Sequence, residues 1–357
     1  MLGRSRVLLL VVVACVAATG TVAAGAGASA QLSWSAAVRI DRTANAIVAL
    51  ACVSARQCVG IDIAYGTGAG RELTFDPAAL RATSPRTLTK GARNATYSVT
   101  CARSGQCMLV DGTGREETFT ASSGRVLASA RIARPHECGV PTCGLTLVGA
   151  RLDAVACPGA HLCVAGGDAG TEVSFDPTKP RAALQYTLGP GPLAPDLVAL
   201  ACPSAHQCTA IDSVNEFVTF DPASPGNPTQ TGLPPGGPGG NVIYALACPT
   251  RSQCTAVTYY GDAVTFDPHS PGTPTTIAID PGVALRGIAC PSASLCVAVD
   301  AHGRAVAGDP QTGAPWLLIP IAGEGMNALT DVACPSTSRC VTVDSVGRAA
   351  VASRPAH

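Results

Sequence analysis

Charge is scarce in this chain. Asp, Glu, Lys and Arg make up 13 % of its 357 residues and cancel to zero, against about 25 % in an ordinary globular chain. No run of Lys and Arg stands out along the sequence, so nothing there supplies an electrostatic grip on nucleic acid or an anionic membrane. Aromatic residues are only 4 %, with six Phe, six Tyr and two Trp, which leaves Ala, Val, Leu and Ile to build the interior. Beyond residue 30 no apolar run is long enough to span a bilayer. The motifs G-x-S-x-G, H-E-x-x-H and the phosphate-binding loop are all missing. Six histidines, His136, His161, His206, His269, His302 and His357, fall mostly in loops and do not recur in register. No catalytic residue, metal site or cofactor is expected.

What the chain does have is cysteine and repetition. A unit typified by Ala201–Pro222, ACPSAHQCTAIDSVNEFVTFDP, recurs seven times with its first cysteines 42 to 56 residues apart. Each unit holds a C-x5-C pair: Cys52 and Cys58, Cys101 and Cys107, Cys157 and Cys163, Cys202 and Cys208, Cys248 and Cys254, Cys290 and Cys296, Cys334 and Cys340. That period suits a four-stranded propeller blade. Structural zinc sites space their cysteines more closely and gather four ligands, so the pairs read as disulfides. Cys138 and Cys143 form an eighth pair within an insertion at about 134–146, RPHECGVPTCG, and are expected to staple it.

The N-terminus reads as an export signal covering residues 1–30. Arg4 and Arg6 precede the apolar run Val7–Ala18, and Ala28-Ser29-Ala30 offers a cleavage site before Gln31. A retained anchor and a lipoprotein signal with lipid on Cys15 are the alternatives. Residues 31–357 then make a single domain, secreted into an oxidising space where paired cysteines persist.

Within each unit four strands are expected. Strand A ends at the first cysteine, a five-residue loop follows, strand B starts at the second cysteine, and tight turns lead to C and D as an antiparallel meander. Two residues before the first cysteine stands a large aliphatic (Leu50, Val99, Val155, Leu200, Leu246, Ile288, Val332). One residue before it the side chain is small. Both faces of such a sheet are apolar and must be covered by neighbours, which radial stacking achieves. The fold class is therefore all-β, a seven-bladed β-propeller of four-stranded antiparallel blades. The last unit lacks a strand D. The segment Ser33–Ile40, with Trp34 as far before Cys52 as Trp316 is before Cys334, is predicted to pair with Arg348–Ala352 and close the ring.

Five units place Asp four residues after the second cysteine: Asp62, Asp111, Asp212, Asp300 and Asp344. They are expected to cap the B–C turns, and the recurring Phe-Asp-Pro is expected to pack between blades. Ligand contact is sought where repeats differ, four residues before the first cysteine: Val48, Tyr97, Asp153, Val198, Tyr244, Arg286 and Thr330, with Asp331 beside the last. The B–C turns add Tyr259, Tyr260 and His302. From these, Tyr97, Asp153, Tyr244, Arg286, Asp331 and Tyr260 are the candidate ligand-binding residues at the channel mouth.

The units CPSAHQCTAID, CPSASLCVAVD and CPSTSRCVTVD resemble the cysteine-paired repeats of exported bacterial β-propellers, and more distantly those of BNR or sialidase-type propellers, although the Asp-box is absent. That resemblance covers Cys52–Val351 and implies the fold rather than an activity. The expected function is a secreted, non-enzymatic binding or scaffold propeller, a monomer whose partner is an extracellular glycan or peptide. The alternative is a glycan- or polymer-acting hydrolase or lyase on the same scaffold.

Overall fold

A computed structural model describes residues 32–91, 96–137, 147–148, 150–189, 194–233, 242–321 and 326–354. Strand A of each repeat is followed outward by B, C and D, each antiparallel to the last, and seven such sheets stand around an axis. Blade 4 is representative: A is Leu197–Ser204, B Gln207–Asp212, C Glu216–Phe220 and D Gln230–Gly232. Each strand A touches strand A of the next blade, and that of blade 7 (Leu329–Ser336) touches that of blade 1 (Ile47–Ser54). The ring is closed.

Burial follows the composition. The strand B segments are buried almost along their whole length, as in Gln207–Asp212, while strand D is mostly exposed. Apolar clusters lie between blades rather than within them. Phe220 and Cys208 of blade 4, for example, pack with Ala154 and Val164 of blade 3. Phe75, Phe119, Phe175, Phe220 and Phe266 all stand opposite the second cysteine of their blade, and all are buried between blades as expected.

The closing strand is where the sequence placed it. Ser33–Trp34 pairs antiparallel with the last strand as Ser33↔Ser353 and Trp34↔Ala352, and Val38–Arg39 continues as Val38↔Ala349 and Arg39↔Arg348. A second seam, independent of that strand, joins blade 7 to blade 1 at the axis. The Leu50 N–H donates to Asp331 Oδ2 (2.8 Å), and Thr330 Oγ1 hydrogen-bonds the Ile47 carbonyl.

The seven C-x5-C pairs are disulfides, with Cα atoms 3.9 to 4.1 Å apart. Cys138 and Cys143 lie outside the described residues, as do Cys15 and the expected cleavage site. A hairpin pairing joins His136–Glu137, near the start of the insertion, to Leu147–Val148 just beyond its end. One expectation is corrected. Strand A stops at the first cysteine only in blade 2 (Tyr97–Cys101); in the other six blades it runs on, to Ser204 in blade 4, where the A–B connection shrinks to the turn Ala205-His206. The two cysteines face each other across the hairpin, and a register shift between Ala201 and Ser204 absorbs the uneven count. Pro203 falls in that shift, where its missing N–H breaks no ladder bond. Pro158, Pro249, Pro291 and Pro335 fall in the same shift of their blades.

Candidate functional site

The residue before each strand A is tied to the B–C turn of its own blade. Tyr259 N–H donates to the Val242 carbonyl, Ala301 N–H to Ala284 and Ser345 N–H to Ala328. The starts of the inner strands and the B–C turns therefore share one end of the ring.

The turns themselves are built as expected in four blades. Asp111 Oδ1 accepts the N–H groups of Thr113 and Arg115, Asp212 those of Val214 and Glu216, Asp300 those of His302 and Arg304, and Asp344 those of Val346 and Arg348. Asp62 differs. Its turn is longer, and it pairs instead with Arg71, whose Nε donates to Oδ1 (2.8 Å); burial holds its pKa at about 6 against that cation. These carboxylates hold the scaffold.

A β-bulge opens strand A of six blades. In blade 5, Ile243 pairs with Thr258 and Ala245 with Val257, which leaves Tyr244 as the extra residue. Val48, Asp153, Val198, Arg286 and Thr330 hold the same bulged position. Bulges re-aim the side chain they carry. Blade 2 has none: Tyr97 pairs directly with Asp111. It therefore fills the slot that Ile47, Leu152, Leu197, Ile243, Leu285 and Leu329 occupy in the other blades. Its ring is buried over Gly70, and its hydroxyl donates to the Gly68 carbonyl (2.7 Å) beside Thr89 Oγ1 (3.0 Å). Tyr97 joins blade 1 to blade 2.

Asp153 and Asp331 are both engaged by protein. Arg151 Nε lies 2.9 Å from Asp153 Oδ2, off the line of a hydrogen bond, and Arg151 Nη2 reaches Asp196 (2.7 Å). Burial raises the Asp153 pKa, and Arg151 opposes the shift. Asp331 keeps some accessible surface while protein crowds its carboxyl. That crowding pushes its carboxyl up to about 7, against two backbone donors, Leu50 and Val332. The two aspartates are not electrostatic neighbours of one another.

Tyr244, Arg286 and Tyr260 come together with Tyr259. The Arg286 guanidinium carbon stands 4.9 Å from the centroid of the Tyr244 ring. Tyr259 lies beside Tyr244 at 6.0 Å, tilted by 32°, and Tyr260 meets Tyr259 edge-on at 5.3 Å and 86°. These distances are those of cation–π and aromatic pairs. Gly261, at φ 89°, shapes the turn that presents the two tyrosines, and any Cβ there would strike the Asp280 carbonyl. All four side chains are exposed, with Val242 exposed beside them. Among the described residues no partner hydrogen-bonds the three hydroxyls or pairs with Arg286. Stacking faces, phenol hydroxyls and an unpaired guanidinium can together bind a planar or polyhydroxyl ligand bearing an acceptor.

No protein-family model matches this chain, and no curated protein matches it. Solved structures do. YCF48 bound to a D1 peptide superposes with a TM-score of 0.63 at 10 % identity, over 90 % of this chain and 95 % of that one. The WD40 β-propeller domain of Doa1 gives 0.63 at 9 % identity, over 91 % and 97 %. At such identities the likeness is one of fold.

Proposed function

We propose that this protein is a non-enzymatic binding propeller, exported from the cell, that takes an extracellular peptide or glycan on the ladder Arg286–Tyr244–Tyr259–Tyr260. The observation that carries this reading is the ladder itself. A chain with six tyrosines sets three of them, exposed and without hydrogen-bond partners among the described residues, in a row that starts at one arginine at one end of the ring. Aromatic and arginine side chains supply most of the energy at binding hot spots. The solved relative YCF48 is described with a bound peptide, which supports a peptide as one occupant. Seven disulfides among the described residues support an oxidising compartment, and residues 1–30 supply the export signal this reading needs.

The test is a peptide and glycan array probed with the mature protein, followed by titration of any hit against Tyr244→Ala and Arg286→Ala. Each variant is expected to weaken binding at least about tenfold with little change in melting temperature. Full binding by both variants would remove the ladder from the site. Turnover of an array glycan would favour the hydrolase or lyase reading.

A further inference from the structure

The sequence shows no cluster of basic residues, yet the fold assembles one. Strands C and D of blade 2, Arg115–Thr120 and Val126–Arg131, place Arg115 directly opposite Arg131. The linker beyond strand D brings Arg134, and a short 3-10 turn of blade 3, Pro180–Ala182, brings Arg181. These four arginines, with Ser129 and Ala130, line a cavity of about 320 Å³ on the outer side of the ring. A second cavity of about 400 Å³ shares Ser129 and Arg181 and adds Lys179. The two form one cleft between blade 2 and blade 3.

Little in the cleft answers this charge. Glu117 is the carboxylate that reaches it, 3.7 Å from Arg115, and it accepts a hydrogen bond from Ser129 Oγ (2.8 Å). Arg115 donates to Ser129 Oγ (2.7 Å) and Arg131 to the Thr113 carbonyl (2.8 Å), which orients both guanidinium groups without neutralising them. The guanidinium groups of Arg134 and Arg181 have no partner among the described residues. Like charges opposite one another on adjacent strands destabilise a sheet, and Glu117 offsets only part of the charge that Arg115, Arg131, Arg134 and Arg181 bring together. The backbone beside them is fixed in advance: Arg134 N–H donates to Gln185 Oε1 (2.8 Å), and Gln185 Nε2 donates back to the Arg134 carbonyl (3.1 Å).

We infer that this cleft binds a phosphate or sulfate group carried as an ester on a larger molecule. Guanidinium forks match tetrahedral oxyanions by paired, charge-assisted hydrogen bonds. The first cavity takes the oxyanion, and the adjoining space beside Lys179 takes the body of the ester. The site shares no residue with the tyrosine ladder, and its existence does not depend on that reading.

The experiment is calorimetric titration of the mature protein at constant ionic strength with inorganic phosphate, inorganic sulfate, a sugar phosphate and a sulfated disaccharide. Chloride serves as the reference anion. At least one ester is expected to bind, and more tightly than its parent ion. Arg134→Gln and Arg181→Gln are each expected to weaken it about tenfold or more, while the exposed control Arg103→Gln leaves it unchanged. Binding of the free ions alone, or equally to both forms, would overturn the ester. Absence of binding, or equal losses in the control, would overturn the site. Circular dichroism of both variants verifies folding, and a charge-keeping Arg181→Lys variant with intermediate affinity would separate the fork from net charge.

Discussion

The indole of Trp316 occupies the space that a side chain on Gly308 would need: a Cβ there would lie 2.4 Å from the Trp316 Cγ. Gly308 stands opposite Cys296, the position that holds Phe in the first five blades. Blade 7 repeats the exchange. Ala352 replaces Phe opposite Cys340, and Trp34 comes from the closing strand to stand opposite Ala352. In both blades strand D supplies the bulk that strand C lacks. Both indole N–H groups are buried with no partner among the described residues, so volume rather than hydrogen bonding is what these tryptophans contribute.

Gly308→Ala should therefore cost about 1–3 kcal/mol through overpacking, and Trp316→Ala about 3–5 kcal/mol through the cavity left behind. The double variant Gly308→Ala/Trp316→Ala should lose less than the two single changes together, because the shortened side chain makes room for the methyl. Denaturant midpoints of the four proteins would check this. Additive losses would mean that the two residues do not share one space.

Deleting residues 31–41 should strip blade 7 of its outer strand, removing Trp34 and the partner of Arg348–Ser353 at once. A loss of several kcal/mol is expected, roughly the burial of one large side chain and its neighbours. Melting of the truncated protein at the wild-type temperature would refute this role for the strand. The seam of Asp331 and Thr330 with blade 1 should keep the remaining blades together, leaving a folded but less stable protein rather than an unfolded one.

Intact mass and alkylation test the bridges. No cysteine after Cys15 should react with an alkylating reagent in the unreduced, unfolded protein. Replacing Cys202 and Cys208 by alanine should lower stability by about 2 kcal/mol, the chain-entropy value for so short a loop. A protein whose blade pairs react freely would contradict the structure.

Stability should also fall as pH rises through neutrality. Glu116 and Glu172 are buried in equivalent strand C positions, and burial lifts their pKa values to about 7 and about 8, against the hydroxyls of Thr118 and Ser174. One oxygen of each carboxyl has no partner among the described residues. The folded protein thus holds protons that the unfolded chain releases near pH 4.5. This contribution is complete below that pH and is lost as pH passes 7 to 8. Glu172→Gln should melt higher than wild type at pH 9 and show a flatter pH profile. Parallel profiles would place the titration elsewhere.

The ring, its blade number and its closure were legible because a blade is a repeat, and repetition survives in composition and spacing. The tyrosine ladder was partly legible as a departure from register, since Tyr244 and Arg286 hold one position in neighbouring units. Tyr97 was miscounted by one residue, because a bulge adds a residue without leaving a mark in the sequence and blade 2 lacks it. The exchange of Phe for Trp between strands C and D escaped a reading that compared each column alone. The arginine cleft was hidden for a different reason: its side chains come from two strands and a linker of blade 2 and a turn of blade 3, and only the packing of those blades brings them together.

The pairing of Ser33 with Ser353, 320 residues apart, has a consequence for the order of folding. The chain leaves the ribosome N-terminus first, so the strand made earliest is the last to find its partner. Each cysteine pair can lock its own hairpin as soon as that hairpin reaches an oxidising compartment, and the blades can stack one after another. Trp34 must wait, its ring uncovered, until strand C of the final blade is complete. Non-local closure of this kind is slow and leaves an open edge exposed in the meantime. The step that completes the ring is thus also the one at which two half-made rings could exchange first strands.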